Sequence, residues 1–485
     1  MNIMLRIANY IKTKKFLYLV VAFFAAQSIF FAAAINYKVP SDEEYHYTFI
    51  NYYAQKSIAA GPIISDQNEL FNLGDIQRTP SYLFHYVMSF YLRIVQVFTT
   101  AVETNVFMLR LLNISFGVVA LFLLVRLARK IGVSQLTTNL TIAWLSMTGM
   151  FIWVFAGISY DNLAIALFFL FLLQLVKLYE SLHARQLVQT IAAGIALVLV
   201  KETYLPIVIL GCIGLLTYHA VRLGLKSAIH TVVESTHATW KSSRRPMFIL
   251  LCVFTVIISV LFIERYAVNL ARYNKFNPTC DQVHTVDECM QQGIYRRNTG
   301  QKREFEQRKK IENVQLDSLP VFSAKWAGYI YQRTYFYRGM QSIPASQKAS
   351  RLAIVTALFA GLLLAYGAMH IRTLRPAQIG LAILTIAYLL MVLLYNFNTY
   401  RFYGYPFAIQ GRYILPILPF IYMAIIGSAK LLYSRLQGKE KIVFIVILVV
   451  LVGNNIVVHS PILIYLDGRT ILDQPVIGLL RNKIT

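Results

Sequence analysis

The stretch FLYLVVAFFAAQSIFFAAAINYKVPSDEEYH, residues 16–46, decides how the rest of the chain is read. Residues 16–36 are almost wholly apolar and long enough to cross ~30 Å of hydrocarbon as one helix. Directly beyond them stand Pro40, Ser41, Asp42, Glu43, Glu44, Tyr45 and His46. Three acids and a histidine therefore emerge where the helix leaves the bilayer. Ionisable groups at a membrane boundary are costly to keep and usually have a task. A carboxylate at that depth reaches both a lipid-borne molecule and water.

The composition carries the reading outward. The chain has 485 residues, 57% of them hydrophobic against 14% charged, and a mean hydropathy of +0.55. That balance excludes a soluble globular domain. Apolar runs of about 20 residues recur, each able to span a bilayer, so the expected fold is an all-α polytopic helical membrane protein. Eleven spans are expected, at 16–36, 106–126, 137–157, 162–178, 187–201, 204–221, 247–266, 351–370, 377–396, 412–430 and 442–459. The first span lacks a small-residue cleavage site and is expected to stay as an anchor. Segment 81–99 is apolar enough to cross, but it begins after Pro80 and holds His85 and Arg93. It is expected to lie in the outer interface as an amphipathic helix. Three regions result: a membrane module over 1–266 that includes an external loop at 37–105, a second external loop at 267–350, and a membrane region with an external tail over 351–485. No internal repeat or low-complexity tract is evident.

Charge orients this scheme. With 81–99 outside, the short internal loops hold 20 basic residues against 3 acidic ones, Glu180, Glu234 and Glu440. The positive-inside rule then places the N-terminus inside and the C-terminus outside. The net charge of +24 follows in part from this topology, and no recognisable nucleic-acid-binding module accompanies it, so no nucleic-acid partner is expected. Of the two external loops, 37–105 has 4 basic and 7 acidic residues, and 267–350 has 13 basic and 7 acidic. The basic excess suits a phosphate or an anionic lipid headgroup, or is simply a solvated, partly helical loop. Cys280 and Cys289, nine positions apart in the second loop, suggest a disulfide in an oxidising compartment such as a periplasm. With only His284 nearby they fall short of a zinc site. Cys212 and Cys252 fall inside spans.

Five polar groups fall on the outer side. Asp42, Glu43 and His46 come first; a helix cap by Ser41 or Asp42 explains one acid and not three plus a histidine. Ser159, Tyr160, Asp161 and Asn162 come second, with Asp161 either a cap or a functional acid. Third are Lys201 and Glu202, where the lysine either meets a phosphate as a point charge, pairs with Glu202 or snorkels. Fourth are Gln410, Gly411, Arg412 and Tyr413. Arginine suits forked hydrogen bonds to phosphate, and the bland alternative is an interfacial anchor beside Tyr403, Tyr405 and Tyr413. Fifth are Arg78, Thr79, Pro80, Ser81, Tyr82 and His85, with Arg110 near them. Carboxylates serve as general bases and cations stabilise a departing phosphate. No P-loop, dinucleotide fingerprint, HExxH motif or nucleophile elbow supplies a competing chemistry.

On these residues the chain resembles the C-type (GT-C) glycosyltransferases, and more narrowly an uncharacterised bacterial family within that group. Pro40, Asp42, Glu43 and His46 match its first acidic motif. Thr79, Pro80, Tyr82 and Tyr86 match its proline-led aromatic segment, and Tyr160 and Asp161 its second acidic site. Lys201 matches its lysine after the fifth span, and Gly411, Arg412 and Tyr413 its late Gly-Arg-Tyr. Two departures are Glu44, where a proline is common, and the single proline before the aromatic segment.

The resemblance implies transfer of a sugar from a polyprenyl-phosphate donor to a cell-envelope glycan or lipid acceptor, with inversion, at the periplasmic face of a bacterial inner membrane. Asp42, or Glu43 in another register, would be the base; His46 and Asp161 would complete the catalytic set, Asp161 orienting the acceptor or His46. Lys201, Arg412 and Arg110 would hold the donor phosphate. Tyr82, His85, Tyr160, Glu202, Gln410 and Tyr413 would line the substrate. No cofactor is required, although Asp42, Glu43 and Asp161 could supply oxygens to a divalent ion, as some relatives do. A transporter or flippase of lipid-linked glycans, or a polymerase of them, is the alternative.

Overall fold

In the computed structural model, residues 2–40, 42–56, 78–242, 245–312, 314–335, 337–338, 341–342 and 347–459 are described. Ser41, the tip of the first long loop and the C-terminal tail fall outside them. The described chain is mostly helical, its helices joined by turns and short loops, with one two-residue antiparallel ladder pairing Tyr337–Arg338 with Gln341–Ser342.

Among the described residues six helices are long and apolar enough to cross a membrane: Lys14–Ala34, Val102–Lys130, Tyr160–Glu180, Glu202–Leu223, Arg245–Tyr273 and Pro376–Tyr403. A bent pair, Gln135–Leu145 with Gly149–Ala156, makes a seventh if counted as one span. This is a multi-pass membrane architecture, and it corrects the expected eleven spans. The run 137–157 breaks by 68° between its two helices. The break is held from both sides: Gln27 of the first span donates to the Ser146 carbonyl at 3.0 Å, and the Thr148 hydroxyl meets the Tyr422 hydroxyl at 3.0 Å. Such partners are what allow a helix to break where water is scarce. The run 187–201 corresponds to Ala184–Val200, a shorter apolar helix of 17 residues that is not among the six. The run 412–430 opens with a 3₁₀ turn, Gly411–Ile414, before the helix Leu418–Arg435 begins. Of the other two, 351–370 corresponds to the helix Gln347–Met369 and 442–459 lies in Gly438–His459, only part of each being fully described.

Segment 81–99 forms the helix Leu83–Gln96, about 21 Å long at 1.5 Å per residue and too short to cross. Phe84, His85, Met88, Ser89, Leu92 and Val95 face the body, while Val87, Phe90 and Ile94 face outward.

The core is built from close helix contacts. Phe24 of the first span meets Phe151 and Phe155 of the bent pair at 5.3 and 5.7 Å between ring centroids. Gly117 lets the second long helix approach them, since a Cβ there would sit 2.7 Å from Phe24 and 2.8 Å from Phe155. Buried Asn162 donates to buried Asn113 at 2.8 Å, tying the helix Tyr160–Glu180 to Val102–Lys130.

The antiparallel arrangement decides where the polar groups go. Tyr160–Glu180 and Ala184–Val200 form a hairpin, so Asp161 at the start of one helix lies beside Lys201 just past the end of the other.

Candidate functional site

Four charged side chains form one cluster. Lys201 Nζ donates to Asp161 Oδ1 at 2.5 Å. The other Asp161 oxygen lies 3.6 Å from Arg412 Nε, and Arg412 Nη2 pairs with Asp42 Oδ2. Lys201, Asp161 and Arg412 are buried, whereas the Asp42 side chain is 48% exposed. Two anions and two cations thus alternate in a chain that runs from the interior to one half-open carboxylate.

Local sequence sets each position. Asp42 sits at φ +63°, a left-handed conformation that Asp tolerates better than most residues. Its side chain makes no cap bond to the helix Glu43–Gln55, so capping does not account for it. Ser159 caps Tyr160–Glu180 by accepting from the Asp161 amide at 3.2 Å, which releases the Asp161 carboxylate for the two cations. Gly157 brings this corner against the first loop: a Cβ there would lie 2.9 Å from Pro40 Cβ. Gly411 does the same for Arg412, with a would-be Cβ 2.5 Å from the Arg333 carbonyl oxygen. The close approach that Gly411 permits is therefore to the backbone of the helix Leu319–Tyr335, from the second loop.

Tyrosines wall the cluster. Lys201 Nζ lies 4.9 Å from the Tyr160 ring centre and 5.2 Å from that of Tyr413. Burial lowers the Lys201 pKa, with Asp161 opposing the shift. Burial also pushes the Tyr413 hydroxyl up to about 12. A small cavity of about 20 Å³ adjoins Arg412, lined among others by Pro40, Trp153, Ser159 and Gln410. It has room for about one water.

Behind Tyr160 lies a histidine pair. His46 Nδ1 and His85 Nε2 are 2.8 Å apart, and the His46 ring stands edge-on to Tyr160 at 4.8 Å. Both imidazoles are held well below their ordinary pKa. Burial is the main cause, aided at His46 by the Arg412 and Lys201 charges and at His85 by His46. Two neutral rings can share the contact, one donating and one accepting.

Several expected site residues sit elsewhere. Glu43 and Arg110 form a closed pair: Arg110 Nε and Nη2 donate to the two Glu43 oxygens at 2.8 and 2.6 Å. Glu43 also accepts from the amides of Ile158 and Lys38 at 3.1 and 3.3 Å. The remaining Arg110 donors take the carbonyls of Ala32, Ile35 and Asn36. The guanidinium is saturated by Glu43 and the end of the first span, so in this structure Arg110 clamps the first loop and Glu43 is its counter-ion. Among the described residues no group of three metal-ligating side chains forms.

Tyr82 and His85 are buried and do not line an open site; Arg265 stacks on Tyr82 with its guanidinium carbon 4.3 Å from the ring centre. Arg78 is taken by Asn269 at 2.7 Å and Glu264 at 2.8 Å. Glu202 ties loops together, accepting from Asn277 at 2.6 Å and donating its amide to Ser81 at 3.0 Å. Cys280 and Cys289 are disulfide-bonded, joining two short helices that each carry a capping box.

Two supporting residues escaped the sequence reading. Asn113 is a polar residue in an apolar helix, a signal that could have been used. Arg333, which donates to the Ile409 carbonyl behind Arg412, carries no local signal. No protein-family model matches the chain, and a search of curated proteins finds no match.

Proposed function

We propose that the cluster is the active site of a membrane glycosyltransferase of GT-C type, taking its sugar from a polyprenyl-phosphate donor and passing it to a cell-envelope glycan or lipid. The observation that carries this reading is the linkage of half-exposed Asp42 to buried Arg412 and, through Asp161, to Lys201. It offers one water-accessible carboxylate beside two cations at the end of the first span.

In the resting chain Asp42 neutralises Arg412. A donor phosphate arriving at Arg412 and Lys201 competes with both carboxylates and frees Asp42. Asp42 then takes the proton of the acceptor hydroxyl as its oxygen bonds to the anomeric carbon. The bond from that carbon to the phosphate oxygen breaks on the opposite side, and the electron pair leaves on the lipid phosphate. Configuration inverts. General-base placement of this kind contributes roughly 10²–10⁴-fold. Fixed cations in a site shielded from water stabilise the leaving group without reorganising. Asp161 keeps Lys201 and Arg412 charged and aimed, and the His46–His85 pair supports the Tyr160 wall from behind.

The basic internal loops favour a cytoplasmic N-terminus and a site on the external face of a bacterial inner membrane. The disulfide fits that placement. Incubation of the reconstituted protein with a panel of polyprenyl-phosphate sugars tests the reading. Release of polyprenyl phosphate that disappears in Asp42→Asn supports it. Transport of the intact lipid-linked sugar without its cleavage points to a flippase, and joining of preassembled repeat units to a polymerase.

A further inference from the structure

The helix Leu225–Lys241 joins two spanning helices, Glu202–Leu223 and Arg245–Tyr273. Glu202–Leu223 starts next to Lys201 and runs 22 residues, about 33 Å at 1.5 Å per residue. Leu225–Lys241 therefore lies at the membrane face opposite the Asp42 cluster.

Its surface divides into sectors. Leu225, Ile229, Val233 and Trp240 fall within one arc of about 80° at 100° per residue, and all four are exposed, from 47% to 67%. The arc continues apolar surface on both neighbours: Leu216 and Val221 on one span, Met247 and Leu250 on the other, are exposed as well. A second sector faces the protein. Ala228 is buried, and the Ser235 hydroxyl accepts from the Ala184 amide at 2.8 Å, pinning the helix across the start of Ala184–Val200. Beyond the apolar arc, away from the body, come Lys226 and Lys241, both exposed. Exposed Arg222 and Arg245 stand at the two ends, with the Arg245 guanidinium 4.5 Å from the Trp240 ring centre.

An apolar strip continuous with the lipid-facing sides of two spans, flanked by cations and with tryptophan at the rim, is the pattern of a helix lying in the headgroup plane. We propose that Leu225–Lys241 is an in-plane membrane helix that binds anionic phospholipid headgroups through Lys226, Lys241, Arg222 and Arg245. The apolar strip sinks to the acyl boundary, the two lysines point sideways into the surrounding headgroups, and Glu234 and Ser227 face water. The inference rests on the multi-pass architecture and is independent of the reaction at the other face.

Two measurements on the full chain in vesicles of phosphatidylcholine and phosphatidylglycerol test it. The first places a nitroxide on Val233→Cys in a Cys212→Ala/Cys252→Ala background. Greater relaxation by oxygen than by a water-soluble nickel chelate is expected; the reverse order puts the strip in water and overturns the insertion. The second compares co-purified lipids by native mass spectrometry. Wild type is expected to retain phosphatidylglycerol over phosphatidylcholine, and Lys226→Gln/Lys241→Gln to lose about fivefold of that preference per cation removed. Equal retention of both lipids by wild type, or an undiminished preference in the variant, overturns the headgroup site. Both lysines are exposed, so an unchanged unfolding midpoint is expected to accompany the loss.

Discussion

Lys201 and Arg412 share one counter-ion. Lys201 donates to one oxygen of Asp161 at 2.5 Å, and Arg412 approaches the other at 3.6 Å. The three are buried, so each charge is tolerated because of the others. Removing the carboxylate as Asp161→Ala leaves buried Lys201 without its counter-ion and Arg412 with Asp42 alone. A loss of stability of about 3–5 kcal/mol is expected, together with loss of transfer. An unfolding midpoint equal to wild type would mean that the cations do not depend on Asp161.

Asp42 is predicted to behave differently. It is half-exposed and makes no cap bond, so Asp42→Asn is expected to fold and unfold much as wild type does. Turnover is expected to fall by roughly 10²–10⁴-fold. The two readouts together separate a base from a scaffold residue.

The Glu43–Arg110 pair is predicted to act through the fold. Glu43→Gln leaves a buried guanidinium without its anion, at a cost of about 3–5 kcal/mol, and the double variant Glu43→Gln/Arg110→Met is expected to recover part of it. Thermal unfolding of the single and double variants checks this. Lost turnover in a Glu43→Gln protein of undiminished stability would instead return Glu43 to the chemistry.

The histidine pair predicts a pH dependence of stability. His46 and His85 are neutral in the fold, with pKa values held well below the ordinary 6.5. The unfolded chain therefore binds more protons than the folded one as pH drops through about 6.5, and stability falls with acidification. Above that range the pair contributes no slope. Replacing both, as His46→Gln/His85→Gln, is expected to flatten the decline below pH ~6.5. An equally steep decline in the variant would assign it to other groups.

Much of this site was legible because its residues carry strong local signals. Asp42, Asp161, Lys201 and Arg412 each stand at the end of an apolar run, and helix ends on one face of a membrane converge in antiparallel packing. The use of Glu43 was not legible: it is adjacent to Asp42, and only the left-handed turn at Asp42 sends the two carboxylates to different partners. The closure of Arg110 depended on three carbonyls freed at the end of the first span, which no residue type announces. The span count failed for a related reason. Apolar runs such as 137–157 and 187–201 are hydrophobic enough to cross, but hydropathy does not register a break at Ser146–Thr148 or a helix that stops at Val200. The seating of Gly411 on the Arg333 backbone was not legible either, because the two are 78 positions apart in sequence.

The most direct test of the account is release of polyprenyl phosphate from a polyprenyl-phosphate sugar by the reconstituted protein, measured for wild type and Asp42→Asn across a donor panel. The account predicts release with at least one donor by wild type, and its near-complete loss in the variant although donor still binds. Release that persists undiminished in Asp42→Asn, or failure of every donor to bind wild type, would contradict it.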